Sequence, residues 1–359
     1  MINTFLTGVR QQVIADALSA PLSDAPYLRI DTHTAASLFQ KSIRRSRTEW
    51  ALRAGQRLFD VQPARFWRRL AVTLFEDVGL LDQSLALDVL ACAPRRGAAS
   101  VSWAVAGYLV SRICEAPKTQ VANNLLHLGF YDLEEAEPLV DFGLMPVEQA
   151  IDWIGDDRHT LVQRAKAVWQ LSGVACSGSA IKHPLADRER VISMLTELAS
   201  SPSLETIARE GLRLTGHVLP LVSVLEAATS DAPREFECVS DSMPPEALIA
   251  GIPSWVFDQY TWAGKAALRR ARTECPAIAV DLERRAMTAD QRFQALADAH
   301  FEFESANLAR RAHISAHKGL LKRVQALGPH RASENAPALY EALKVDWGAF
   351  QKLRRNELA

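Results

Sequence analysis

The sequence predicts an all-α protein built as a multi-helix bundle. Nearly every segment repeats its apolar residues at helical spacing, and strand-like alternation is scarce. Long runs are filled with Leu, Ala, Arg and Glu, which favour helices. The runs are separated by proline, glycine and short polar residues of the kind that start and stop helices. With 359 residues and 48% hydrophobic content, the chain can bury a large core, and its length suggests about two domains. Composition divides it further, into 1–130, 131–245 and an Arg-rich helical region at 246–359.

In chain order, a first helix covers about 4–19 and stops before Pro21. Asp31-Thr32-His33-Thr34 opens the next, with Thr34 as the expected N-cap, and it continues through Leu38, Ile43, Trp50, Leu52 and Leu58. Pro63 suits the first turn of the helix after it. That helix carries residues 66–82 (FWRRLAVTLFEDVGLLD) and ends at Gly79. Asp82 or Ser84 caps a helix to Cys92, and residues 94–97 make a turn. Residues 101–114 are strongly apolar and are expected to form a central buried helix, which Pro117 ends; another begins at Val121. Residues 131–157 hold nine acidic side chains and no Lys or Arg, and are expected to form short helices and loops with an acidic surface. Helices follow at about 159–172, 187–200, 203–215 and 217–228, with a small-residue loop at 173–185. Residues 229–245, containing Pro233, Pro244 and Pro245, read as an exposed linker. Long helices are expected from about 279 to 327, broken by Gly328-Pro329, and a last short helix over 337–353.

Composition narrows the function classes. A formal net charge of −1 argues against wholesale electrostatic attraction to nucleic acid or an anionic membrane, but permits a local patch. No run of about 20 apolar residues and no signal peptide is evident, so a cytoplasmic protein without a membrane span is expected. The five cysteines, Cys92, Cys114, Cys176, Cys238 and Cys275, are widely spaced without a CxxC pair. That spacing fits neither a disulfide framework nor a zinc ribbon, and suits a reducing compartment.

Catalytic signatures are missing. There is no GxxxxGK[ST] loop; Gly264-Lys265-Ala266 lacks the upstream glycine and the magnesium-binding hydroxyl. His313 and His317 are four apart, but Ile314 stands where a metalloprotease glutamate would be. As a helical pair they would share one face and suit either a metal or, more simply, solvent. Ser177-Gly178-Ser179 reads as loop rather than nucleophile elbow. Neither cofactor nor metal is expected, and the chain reads as a non-enzyme.

The informative constellation is electrostatic. Residues 38–72 hold nine cations (Lys41, Arg44, Arg45, Arg47, Arg53, Arg57, Arg65, Arg68 and Arg69) against two anions, Glu49 and Asp60. Lys41, Arg44 and Arg47 share a helix face by spacing. Three fates are open to these cations: internal pairing with the acidic 131–157 segment or with Glu76 and Asp77, contact with nucleic-acid phosphates, or contact with a partner protein. Glu76-Asp77 sits near a helix C-terminus, where carboxylates oppose the macrodipole. A compensating ion pair, from Arg68, Arg69 or another helix, is therefore expected in preference to catalysis. Residues 252–272 (IPSWVFDQYTWAGKAALRRAR) repeat Asp258, Thr261, Lys265 and Arg269 at helical spacing behind Trp255, Phe257, Tyr260 and Trp262. The aromatics read as core or interface, with base stacking as the other reading. Lys265 and Arg269 join Lys41, Arg44, Arg45, Arg47, Arg68 and Arg69 as candidate nucleic-acid or partner contacts.

Three phrases in order, LFQKSIRRSRTEWAL at 38–52, FWRRLAVTLFEDVGLLD at 66–82 and ICEAPKTQVANNLL at 113–126, resemble the helical region behind the motor of the replication-associated recombination AAA+ ATPases, relatives of the clamp loaders. The signature positions are Lys41-Ser42-Ile43-Arg44, Arg68-Arg69-Leu70 with Glu76-Asp77-Val78-Gly79, and Ala116-Pro117-Lys118-Thr119. Phe75 and Thr119 replace serines of the family pattern. The resemblance spans about 35–125 and implies an all-helical, clamp-loader-collar-like module serving subunit assembly in DNA maintenance. The phrase from Asp258 to Lys265 also resembles an Asp-x-His-Thr-x-x-Gly-Lys pattern of proteins carrying that module, with Tyr260 in place of the histidine. The family's Walker motifs and arginine finger are not in this sequence. The expectation is thus a non-enzymatic helical assembly and DNA-associated accessory protein in replication, recombination or repair. Its expected partners are DNA, a partner ATPase or replication protein, and further copies of itself. A protein–protein adaptor of a phage or mobile-element system, without direct DNA binding, is the alternative.

Overall fold

The computed structural model describes residues 2–20, 27–95, 97, 99–131, 142, 145–174, 187–229, 235–284, 287–327 and 336–358. The fold is all-α: a multi-helix bundle of eighteen α-helices, with four short strands among the described residues. No helix among them is long and apolar enough to cross a membrane.

Helix α1 (Ile2–Ser19) is followed by α2 (Thr32–Arg44), whose N-cap is Asp31 rather than Thr34. The Asp31 carboxylate accepts hydrogen bonds from the backbone N–H groups of His33 and Thr34, two of the donors a helix start leaves without partners. The single helix expected through Leu58 is two, α2 and α3 (Thr48–Val61). Between them Ser46 adopts a left-handed φ of 52°, and its hydroxyl donates to the Cys114 carbonyl at 2.7 Å. This turn lets α2 and α3 pack against each other. Pro63 opens α4 (Pro63–Thr73) as anticipated. The helix then widens into one π-turn, Leu74–Val78, which carries Glu76 and Asp77 and ends at Gly79. Gly79 has φ 75° and ψ −161°, a backbone region essentially restricted to glycine. Asp82 caps α5 (Gln83–Cys92), and α6 (Trp103–Glu115) buries Val105, Leu109, Val110 and Ile113 against α1, α3 and α5.

The bundle continues through α7 (Val121–Tyr131), α8 (Val147–Gly155), α9 (Leu161–Ser172), α10 (Arg188–Ala199), α11 (Pro202–Thr215) and α12 (Leu219–Ala228). Every residue of α12 from Leu219 to Glu226 is buried, so this helix is as central as α6. One apolar cluster runs from Leu6 to Leu225 and reaches Trp255–Phe257, without a break near residue 130. A second cluster gathers Leu268, Ile278, Leu296, Leu343 and Phe350. These come from α13 (Trp262–Glu274), α14 (Pro276–Glu283), α15 (Ala289–His300), α17 (Ala336–Val345) and α18 (Trp347–Asn356).

Four expectations fail in the C-terminal half. The supposed linker contains strand β1 (Phe236–Val239), and in place of the long helices expected over 279–327 stand the end of α14, α15, strand β4 (Arg311–Ile314) and the short α16 (Lys318–Leu327). These strands pair antiparallel, Phe236 opposite Ile314. The outer edge of β4 is also engaged: Lys118 N–H donates to the Arg310 carbonyl at 3.0 Å and Ala312 N–H to the Lys118 carbonyl at 2.8 Å. His313 therefore lies in a strand and His317 in a 3-10 turn, so they do not share a helix face. A short hairpin, β2 (Leu248–Ile249) with β3 (Ile252–Pro253), precedes the aromatic phrase. The last helix is also two, α17 and α18, parted at Asp346, whose carboxylate accepts from the Ile278 N–H at 2.9 Å. Residues 132–141, most of the loop at 173–185 with Ser177–Ser179, and Gly328-Pro329 lie outside the described residues.

Candidate functional site: a buried ionic junction and an exposed aromatic–basic face

The cations of α2 turn inward. Arg44 Nε donates to Asp77 Oδ1 and Arg44 Nη2 to Glu76 Oε1, each at 2.7 Å, so one guanidinium forks across the adjacent carboxylates of the π-turn. Asp77 also accepts from Gln120 Nε2 at 3.0 Å, and the Gln120 N–H donates to the Asp77 carbonyl at 3.3 Å. Thr119 approaches from the same segment; a Cβ on Gly79 would overlap its hydroxyl. All three phrases thus meet here: the first gives Arg44, the second Glu76 and Asp77, the third Thr119 and Gln120. Lys118 of the third phrase is fully buried and donates to Ser46 Oγ, Cys114 O and Ala116 O at 2.8, 2.6 and 2.8 Å. Three acceptors match the three N–H bonds of an ammonium.

The junction extends to the C-terminal region. Lys41 Nζ lies 2.7 Å from Asp258 Oδ2 and donates to the Val256 carbonyl at 3.0 Å. Arg45 donates to the Glu304 carbonyl, and its guanidinium lies 5.0 Å from the centre of the Trp255 ring. The Glu304 side chain accepts from Arg354 Nη1 at 2.5 Å and from Ser254 Oγ at 2.7 Å, and lies 3.1 Å from His300 Nε2. Arg354 also donates to the Ser254 carbonyl at 2.8 Å.

The charge states follow from this wiring. Burial works against the charge on Arg44, but Asp77 and Glu76 override it and hold its pKa above the ordinary value. Burial, with Asp77 alongside, pushes Glu76 up against the opposing pull of Arg44 and Arg69. Burial brings Lys41 down to about 8 despite Asp258, and Lys118 to about 8 as well. Burial alone would raise Glu304, yet Arg354 and His300 hold it well below the usual carboxylate range. His300 is pulled down by burial. The carboxylates here are bonded to fixed cations rather than directed at a cavity, so the junction acts as internal structure. Among the described residues no group of three His, Cys, Asp or Glu is arranged to hold a metal ion.

This placement corrects the anticipated phosphate-binding face on α2. Lys41, Arg44 and Arg45 are each about 95% buried or more, and an arginine committed to two carboxylates inside the fold cannot also meet a phosphate. Arg47 is exposed and lies 3.4 Å from Glu246. Arg68 is exposed and donates to the Thr215 carbonyl, and half-buried Arg69 donates to Gln40. The pairing of Arg44 with Glu76 and Asp77 is the internal fate that the sequence left open. His300, Glu304, Ser254 and Arg354 were missed. Their only sequence trace is the four-residue spacing of His300 and Glu304, and Arg354 joins them from 50 residues further on.

The aromatic phrase divides. Trp255 and Phe257 are in the core, whereas Tyr260 and Trp262 are 63% and 74% exposed. Lys265 and Arg269 are exposed on α13 in line with Trp262 by spacing, while Ala263, Gly264, Ala267, Leu268 and Ala271 face inward. Arg269 and Arg272 both lie over the Phe293 ring, at 5.6 and 5.8 Å. Comparison with protein-family models, curated proteins and solved structures finds no match to this chain.

Proposed function

We propose that the protein is a non-enzymatic, helical assembly and DNA-associated accessory protein of replication, recombination or repair, working in the cytoplasm with a motor supplied by a partner ATPase. The observation that carries this reading is the convergence of the three phrases on one junction. Their signature residues, Arg44, Glu76, Asp77, Gly79 and Lys118, are the internal wiring of a single helical module. That is what a structural signature of an assembly module requires, and it explains why charged residues occur there without catalytic geometry. With the α2 cations spent inside, the contact with DNA falls to exposed cations, Arg47, Arg68, Lys265 and Arg269.

The test is a binding titration against single-stranded, forked and duplex DNA across salt concentration, run beside sedimentation of the protein at rising concentration. Binding that weakens steeply with salt, together with self-association, is the expected result. Absence of binding at low salt ends the DNA half of the reading, and a purely monomeric profile ends the self-assembly half. The adaptor alternative draws on β1, whose four residues are all exposed, including Phe236 and Val239. Among the described residues β4 is the one strand paired with β1, and a strand edge left unpaired suits a partner protein by strand addition.

A further inference from the structure

The phrase from Asp258 to Lys265 separates into residues with internal work and residues without it. Asp258 is the counter-ion of Lys41. Thr261 caps α13, its hydroxyl accepting from the Gly264 N–H at 3.2 Å. Gly264 admits the Asp258 backbone so closely that a Cβ would overlap it. Those three positions fix the shape of the turn. Tyr260, Trp262 and Lys265 alternate with them and point outward. The Tyr260 ring stands edge-on to Phe301, with 5.7 Å between centroids, which braces it at the surface. Trp262 exposes 74% of its area at the first position of α13, a large cost for an aromatic without a ligand. The Lys265 ammonium makes no hydrogen bond or ion pair among the described residues, and Arg269 lies one turn beyond it. Three carboxylates act on the tyrosine, and each has a partner inside the fold: Asp258 pairs with Lys41 and Glu76 with Arg44, each at 2.7 Å, and Asp298 accepts from Gln294 at 2.7 Å.

We propose that Tyr260 and Trp262 form a stacking platform for the bases of single-stranded nucleic acid, while Lys265 and Arg269 pair with its phosphates. This rests on, and sharpens, the DNA-associated reading. Two exposed rings are matched by two cations about 6 Å apart along α13, on the helix face that carries Trp262. Stacking needs unpaired bases, because a duplex hides their faces, and the cations supply complementarity to a polyanion. A protein partner would find less here, since Lys265 and Arg269 occupy the face that Trp262 opens.

The experiment uses the full chain with a fluorescently labelled oligo-dT and its duplex with oligo-dA, reading anisotropy and tryptophan emission. The expected result is preference for the single strand, with tryptophan quenching that Trp262→Ala removes. Trp262→Ala should weaken binding roughly tenfold to a hundredfold without changing its salt slope, and Trp262→Phe should restore most of it. Lys265→Glu should lower the salt slope by about 0.7, the share of one phosphate on a single strand. Because Trp262 is mainly solvent-exposed, its variants should melt like the wild type, and a melt confirms that each compared protein is folded. Equal affinity for single strand and duplex, unmoved by Trp262→Ala, overturns the platform while leaving the accessory reading intact. Failure of the wild type to bind any of the oligonucleotides overturns both.

Discussion

Replacing Arg44 with leucine separates a structural role from a nucleic-acid contact. The guanidinium makes two charge-assisted bonds of 2.7 Å, to Glu76 and Asp77, and its own side chain is 6% exposed. Removing it leaves two adjacent carboxylates without their cation, one of them fully buried. Asp77 keeps Gln120 at 3.0 Å and Gln40 at 3.4 Å, and Glu76 keeps Gln40 at 3.2 Å. These neutral donors recover part of the loss. Breaking a buried ion pair from one side costs about 3–5 kcal/mol, and the retained amide bonds place Arg44→Leu near the lower end, about 3 kcal/mol. For a chain of 359 residues unfolding as one unit, that is a fall of about 4 °C in Tm. Asp77→Asn in the same background removes the worst of the like-charge repulsion and should recover part of the loss. The assay is a urea titration of the two variants beside the wild type, with DNA binding of each at several salt concentrations. Arg44→Leu should unfold at lower urea and, while folded, bind DNA with an unchanged salt slope. A variant as stable as the wild type whose salt slope falls by about one charge would refute the internal assignment and return Arg44 to the surface.

Three further outcomes follow from the same geometry. Glu304→Gln keeps the shape of the side chain but leaves Arg354 buried without its counter-charge, and should cost about 3–5 kcal/mol in denaturant unfolding. Because the folded-state pKa of Glu304 lies below its ordinary 4.5, its contribution is present above that value and is lost as pH falls below it. Acid unfolding curves of Glu304→Gln should accordingly be flatter than those of the wild type, and parallel curves would contradict the pairing. Gly264→Ala puts a methyl group into the Asp258 backbone and should cost about 3 kcal/mol; a wild-type thermal melt would show that the turn has room to spare. Lys41 and Lys118, both brought to about 8, should give side-chain NMR titrations near that pH, and Lys118→Met should remove one of the two signals. In the folded protein they release protons above pH 8 that the unfolded chain keeps to about 10.5. The unfolded state then binds more protons, so their contribution to stability rises with pH across that window; two signals near 10.5 would place both amines in water.

The helices were legible because their signal is local: apolar spacing, Pro63 at a helix start and Gly79 at a stop depend on nearby residues. The two breaks missed in Ser46 and Asp346 depend on distant partners. Ser46 takes a positive φ where its hydroxyl meets Cys114, and Asp346 turns to cap α14. Strand β1 escaped for a similar reason. It is four exposed residues without inward–outward alternation, and its register is set by β4, 75 positions away. The cations of α2 show the sharpest divide. Spacing placed Lys41 and Arg44 on one helix face, but could not tell whether that face met water or carboxylates. Asp258 and Glu304, which take up Lys41 and Arg45, lie more than 200 positions along the chain. Glu76-Asp77 was readable as an ion-paired end because its own helix gave it an unfavourable place.

The junction also governs how the chain can be divided. The resemblance covers residues of the first 125, and trimming the protein to that stretch would look natural from sequence. Yet Lys41 would then lose Asp258 and the Val256 carbonyl, Arg45 would lose Glu304 and Trp255, and Lys118 would lose the strand beside it. Three buried cations would open to solvent on a surface shaped to enclose them. The first helices and the last therefore form one inheritable unit, in which a charge gained on α2 requires an answering change in the turn before α13 or at the end of α15. Recombination that exchanges the front half of such a protein without its tail would carry mismatched charges into its interior.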